Sequence, residues 1–177
     1  ALLNNLGMLY QSMGEYNKAA ELITEGMMIV KDMQGKEEET ATALVNLSVI
    51  YNKTGDVVRA EECGKKAIDI FQNNAPYSYH LAAANNSMGL VYYKKGDFKN
   101  AEKYYSRSLE VLENTLGKNA EYAIACESLA AVCGKCGEYK KAAQYAKQAA
   151  GIYERLYGAE DIRTLRAKKI QDGYEVK

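Results

Sequence analysis

Helix breakers are scarce in this chain. Its 177 residues include one proline, Pro76, and no tryptophan. With so few breakers and so many Ala, Leu, Glu, Lys and Tyr residues, the composition suits almost continuous helix. Net charge is also missing, because 23 Lys and Arg balance 23 Asp and Glu. A chain without a basic excess carries no electrostatic footprint for nucleic acid or for an anionic membrane, so neither is expected as a partner. No apolar run approaches the ~18 residues that a bilayer span needs, and nothing reads as a signal peptide. The chain opens at Ala1 already inside a helical pattern, which reads as a fragment or a processed piece. Four irregularly placed cysteines give no secreted disulfide framework and point to a reducing, cytoplasmic compartment. A single histidine, His80, restricts any Ser/His/Asp or Cys/His site to that residue. The glycines form no Walker-type phosphate loop. These absences predict a protein without catalytic residues, cofactor or metal.

What the sequence does contain is repetition. "MLYQSMGEYNKAAEL", "VIYNKTGDVVRAEEC", "LVYYKKGDFKNAEKY" and "AVCGKCGEYKKAAQY" begin at Met8, Val49, Leu90 and Ala131, each 41 residues after the one before. A fixed period of this length marks an array of stacked supersecondary units. In each copy a first helix, A, sets packing residues at i, i+3, i+4 and i+7, which places them on one stripe. These are Leu3, Leu6, Gly7, Tyr10; Leu44, Leu47, Ser48, Tyr51; Asn85, Met88, Gly89, Tyr92; and Cys126, Leu129, Ala130, Cys133. Gly14, Gly55, Gly96 and Gly137 then supply the left-handed conformation that ends helix A. The acids that follow, Glu15, Asp56, Asp97 and Glu138, are placed to cap or oppose the dipole of the second helix, B. Helix B presents Ala19, Ala60, Ala101 and Ala142 at its crossing with helix A, then the small column Gly26, Ala67, Ser108 and Ala149. Breakers fall between copies at Gly35, Pro76, Gly117 and Gly158.

This order of small and aromatic columns resembles the tetratricopeptide repeat (TPR), with its L-G-x₂-Y, glycine and A-x₃-F/Y signature. The resemblance covers essentially the whole chain. It implies an all-α, right-handed α-solenoid of helix-turn-helix hairpins. The period is about seven residues longer than the usual TPR of about 34, roughly two extra helical turns. With "LNNLG" on helix A and Leu116-Gly117 ending helix B, it is similar to the long, kinesin-light-chain type of repeat. The expected units are residues 1–34, 35–75, 76–116 and 117–157, followed by a charged, solvating helix at 158–177. In that helix Ala167, Ile170 and Tyr174 continue the columns, while Gln171 replaces the small residue. The first helix A has no such cover, and its exposed stripe predicts self-association.

In such an array the A helices line the concave face. The residues out of phase with the packing stripe are the candidate peptide-binding set: Asn4, Asn5, Met8, Asn46, Val49, Asn52, Lys53, Asn86, Leu90, Tyr93, Lys94, Glu127 and Lys135. They describe an apolar floor, a wall of amides that can both donate to and accept from a peptide backbone, and a lysine rim able to pair with carboxylates. A two-lysine carboxylate clamp of the kind some TPR proteins use would need basic groups where Asn4, Ala83 and Ser87 stand, and only Asn46 matches its pattern. The expected function is that of a non-enzymatic adaptor holding a protein or peptide segment in the groove. Two alternatives remain: docking onto another domain of a longer parent chain, or thiol-based regulation through Cys126, Cys133 and Cys136. For "CGKC", Cys133 to Cys136, the expected role is packing, because a redox C-x-x-C needs a thioredoxin-like setting and zinc would need a fourth ligand. His80, flanked by Tyr77 and Tyr79, reads as a groove-edge residue. "KEEE", Lys36 to Glu39, reads as a helix start opposing the dipole.

Overall fold

The computed structural model describes residues 2–76 and 78–176, so Ala1, Tyr77 and Lys177 lie outside the described residues. The described residues form nine helices and no strand: α1 (Leu2–Ser12), α2 (Tyr16–Val30), α3 (Glu37–Thr54), α4 (Val57–Asn74), α5 (Tyr79–Lys94), α6 (Phe98–Thr115), α7 (Ala120–Lys135), α8 (Tyr139–Tyr157) and α9 (Ile162–Glu175). Each helix packs chiefly on its neighbours in the chain, and the alternate helices α1, α3, α5 and α7 also touch in succession. That pattern is a solenoid of antiparallel hairpins with the odd-numbered helices side by side. None of the helices in the described residues is long and apolar enough to cross a membrane.

The turn inside each hairpin follows from one backbone requirement. Gly55 closes α3 at φ 86°, and Gly14, Gly96 and Gly137 hold the same left-handed conformation at 82°, 75° and 78°. A Cβ at such an angle clashes with the following carbonyl, which is why the position is glycine in all four turns. The acid after it behaves in two ways. Asp56 and Asp97 accept hydrogen bonds from the amides of Arg59 and Asn100, whereas Glu15 and Glu138 make no side-chain cap. The shorter aspartate places its oxygen at the third helical amide; the extra methylene of glutamate carries the carboxylate past it.

The crossing of A on B is settled by volume. Ala19, Ala60, Ala101 and Ala142 are fully buried. Beside them the size of one helix's residue answers that of the other. A Cβ on Gly7 would come within 2.5 Å of Ile23, and one on Gly89 within 2.6 Å of the Tyr105 ring. Ser48 instead lies against Gly64, and the space over Gly64 is filled by Met88 from the next hairpin. Buried hydroxyls are satisfied within the crossing: Ser48 donates to the Ala60 carbonyl at 2.8 Å and Ser108 to that of Ala82 at 2.9 Å.

Between hairpins the helix A column that begins at Leu2, Leu6 and Leu9 meets the preceding helix B. Its members Ala43, Leu47 and Ile50, then Ala84, Met88 and Val91, then Ala125, Leu129 and Val132 are all at most 4% exposed. In α1 the same column is 81%, 38% and 55% exposed.

Candidate functional site

Two cavities open on the face where the odd-numbered helices lie side by side. The larger, about 390 Å³, runs across α3, α5 and α7. Val45, Val49, Ala82, Ala83, Leu90 and Ile124 give it an apolar floor, and Asn46, Tyr79, Asn86 and Glu121 add polar atoms. The smaller, about 310 Å³, lies between α1, α2 and α3 and reaches His80 at the start of α5. Its lining includes Asn4, Asn5, Met27, Val30, Glu38 and Glu39. Asn46 Nδ2 donates to Asn4 Oδ1 at 3.1 Å, tying α1 to α3 where the two cavities adjoin.

The structure divides the thirteen sequence-predicted groove residues into three groups. Asn4, Asn5, Asn46, Val49, Asn86 and Leu90 line the two cavities. Met8, Lys53 and Lys135 are exposed but line neither. The remaining four are committed to the fold. Asn52 is 1% exposed, so it does not stand on an open wall. Lys94 donates its ammonium to the Asn52 carbonyl. Tyr93 packs edge-on against Phe98. Glu127 accepts from Arg166 of α9 and from the Tyr153 hydroxyl. The column assignment went astray for Asn52 and Glu127 because one stripe of helix A serves two surfaces. Part of it faces the groove, and part meets the next hairpin, whose position the column alone does not reveal.

Two polar side chains are left without partners by the protein itself. Both side-chain atoms of Asn52 are buried and unpaired, and so is Oδ1 of Asn86, which lines the larger cavity. A buried acceptor without a donor carries a desolvation penalty of about 1–3 kcal/mol. Asn86 Oδ1 therefore lacks the donor that a buried amide oxygen ordinarily finds. Sequence reasoning missed Tyr79, Glu121 and Ile124 as lining residues. Their spacing along the chain does hold the signal, since Ile124 lies one period after Ala83.

Of the other chemistry-bearing groups, Cys136 is exposed, and those that follow are buried or paired. Burial raises the thiol of Cys126 to about 12 and that of Cys133 to about 11, so neither is a thiolate near neutral pH. Glu102, Cys133 and Glu138 bring donor atoms within 4.8 Å of one another, a spacing that would suit a metal ion. The charge there is already answered by the Lys141 ammonium, which pairs with both carboxylates and is held charged by Glu102. Lys36 pairs with Glu39 in the first turn of α3. His80 stacks on Phe71, with ring centroids 5.7 Å apart, and meets the edge of Tyr79.

Known structures share this geometry. BtubC (BKLC) from P. vanneervenii is 20% identical, with a TM-score of 0.81 over 98% of this chain and 73% of its own. The kinesin-light-chain TPR-like repeats of Podosopora anserina are 17% identical, with a TM-score of 0.81 over 98% of this chain and 84% of theirs. A Rap protein complexed with competence and sporulation factor is 16% identical, with a TM-score of 0.79 over 97% of this chain and 47% of its own. No curated protein matches the chain in sequence. The family model of the tetratricopeptide repeat matches residues 1–73 and 80–155. The glycine turns, the alanine crossings and the 41-residue period thus have one common source: the chain belongs to the tetratricopeptide-repeat family and folds as its right-handed α-solenoid, a protein-interaction scaffold.

Proposed function

We propose that the array is a non-enzymatic adaptor that holds an extended segment of a partner protein in the groove across α3, α5 and α7. In this reading the units 35–75, 76–116 and 117–157 build the groove, with 1–34 extending it and 158–177 covering its far end. One observation carries the reading. An open apolar channel of about 390 Å³ is lined by Asn86, whose buried Oδ1 no donor among the described residues reaches. Protein interiors rarely leave such an atom unpaired, and a peptide N–H is a ready partner for it. The Rap protein of the same fold, complexed with competence and sporulation factor, supports a ligand-carrying role for arrays of this shape.

The test compares partner capture by the unchanged array, by Leu90→Arg in the groove, and by Glu25→Lys with Lys147→Glu on exposed surfaces of α2 and α8. The groove variant is expected to lose its partner and the outer variants to keep it. The reverse result would move the interaction to the outer face. For a captured partner, Asn86→Ala is expected to weaken binding by about three- to tenfold through one lost hydrogen bond, without lowering stability.

A further inference from the structure

We infer that the groove selects a basic segment carrying one large apolar side chain, rather than an acidic one; this rests on the groove reading above. The sequence columns pointed the other way, toward a lysine rim, but the structure withdraws that rim from the cavities. Lys94 is spent on the Asn52 carbonyl, and Lys53 and Lys135 line neither cavity.

Both cavities are bordered by acids instead. Glu121 lines the larger one beside Tyr79, whose phenol is raised by burial and by the Glu121 charge, and no side-chain partner among the described residues engages the Glu121 carboxylate. Glu38 and Glu39 line the smaller one; Glu39 pairs with Lys36, while the Glu38 carboxylate has no partner among the described residues. These acids share a cause. They sit in the first turns of α3 and α7, where the helix dipole favours negative charge. The starts of α3 and α7 therefore place acids along one edge of the groove, while Lys53 and Lys135 lie at the opposite ends of the same two helices.

One buried hydrogen-bonding atom has the same polarity. Asn86 Oδ1 is an acceptor without a donor among the described residues, and Asn46 has committed one of its two amide hydrogens to Asn4. What carries charge is the Glu121 carboxylate in the larger cavity and the Glu38 carboxylate in the smaller, beside an apolar floor on which Leu90 and Ile124 remain 38% and 45% exposed. The complement is a segment rich in N–H groups. Its apolar side chain would lie over Leu90 and Ile124, a backbone N–H would reach Asn86 Oδ1, and a flanking Lys or Arg would face Glu121. A like-charged segment would meet repulsion at that edge.

The experiment uses two libraries of N-acetylated, C-amidated nonapeptides with leucine at the centre, one flanked by lysine and the other by glutamate. Affinity is read by fluorescence anisotropy and location by amide chemical-shift changes at Asn86 and Leu90. The lysine library is expected to bind about tenfold tighter and to lose that advantage as salt rises. Glu121→Lys is expected to reverse the preference and Glu121→Gln to erase it, with circular dichroism checking that each variant stays folded. If the glutamate library binds as tightly at the same amides, the inferred polarity is wrong and the groove survives. If neither library moves Asn86 or Leu90, the groove reading falls and this inference with it.

Discussion

Helices α1 and α9 are both of the A type, one at each end of the array, and their surfaces differ sharply. In α1 the side chains of Leu2, Leu6 and Leu9 stand exposed, and the helix carries no charged residue at all. In α9 only Thr164 and Ala167 are buried, and half of the remaining positions are charged. That charge is tied down. Arg166 pairs with Glu127, Lys168 with Glu154, and the Arg163 guanidinium lies 3.4 Å over the Tyr157 ring. Asp161 caps the helix start, and Thr164 donates to the Gly158 carbonyl. Single exposed pairs contribute little, but together they hold a half-charged helix against α8, although its Ile162 and Leu165 remain 79% and 49% exposed. The lesson is that column identity does not determine burial. The same register position is core in α3, α5 and α7 and solvent-facing in α1.

The largest test of this contrast is a pair of truncations at one column. Leu47→Ala, at a position 3% exposed, is expected to cost about 2–5 kcal/mol in urea denaturation. Leu6→Ala, at 38% exposure, is expected to cost less than about 1 kcal/mol. Equal losses would mean that α1 is covered in solution.

The association expected from the open stripe gives the next test. Sedimentation velocity of the 177-residue chain is expected to show concentration-dependent association. The double change Leu6→Lys with Leu9→Lys is expected to weaken it at least about tenfold, because two charges would have to be buried. A strict monomer at millimolar concentration would remove the contrast between the two ends.

A junction inside the array supplies a pH test. Glu61 of α4 accepts from Lys65, Lys95 and the Tyr92 hydroxyl, and these partners hold its carboxyl at about 2. The folded pKa lies below the unfolded one, so the stabilisation is complete above the unfolded value of 4.5 and is lost as pH falls toward 2. Glu61→Gln is expected to remove about 1–2 kcal/mol of the stability difference between pH 6 and pH 3. An unchanged acid limb would mean that the clasp does not persist in solution.

The smallest expected effect is a gain. Gly151, inside α8, faces open space, and a Cβ there would meet nothing within 4 Å. Gly151→Ala is expected to raise stability by about 0.5–1 kcal/mol through helix propensity alone. The same change at Gly89, where a Cβ would press on the Tyr105 ring, is expected to destabilise.

Much of the fold was determined by the sequence on its own. A left-handed turn needs a glycine, a tight crossing needs an alanine, and a stacked array must repeat both at one period, so Gly55, Ala60 and their counterparts declare themselves without coordinates. The apolar groove residues Val49 and Leu90 were legible for the same reason, being out of phase with the packing stripe. Which polar groups remained free was decided only by tertiary structure. Lys94, Glu127 and Asn52 look like groove residues in their columns. Each is claimed by a partner or a neighbour that lies 39 to 42 residues away or is set by the stacking of the next hairpin. Local periodicity reports which side of its own helix a residue occupies. Whether a charge there meets water, a carbonyl or an arginine depends on how the neighbouring hairpins stack, and that placement is set by the volumes packed at every crossing together.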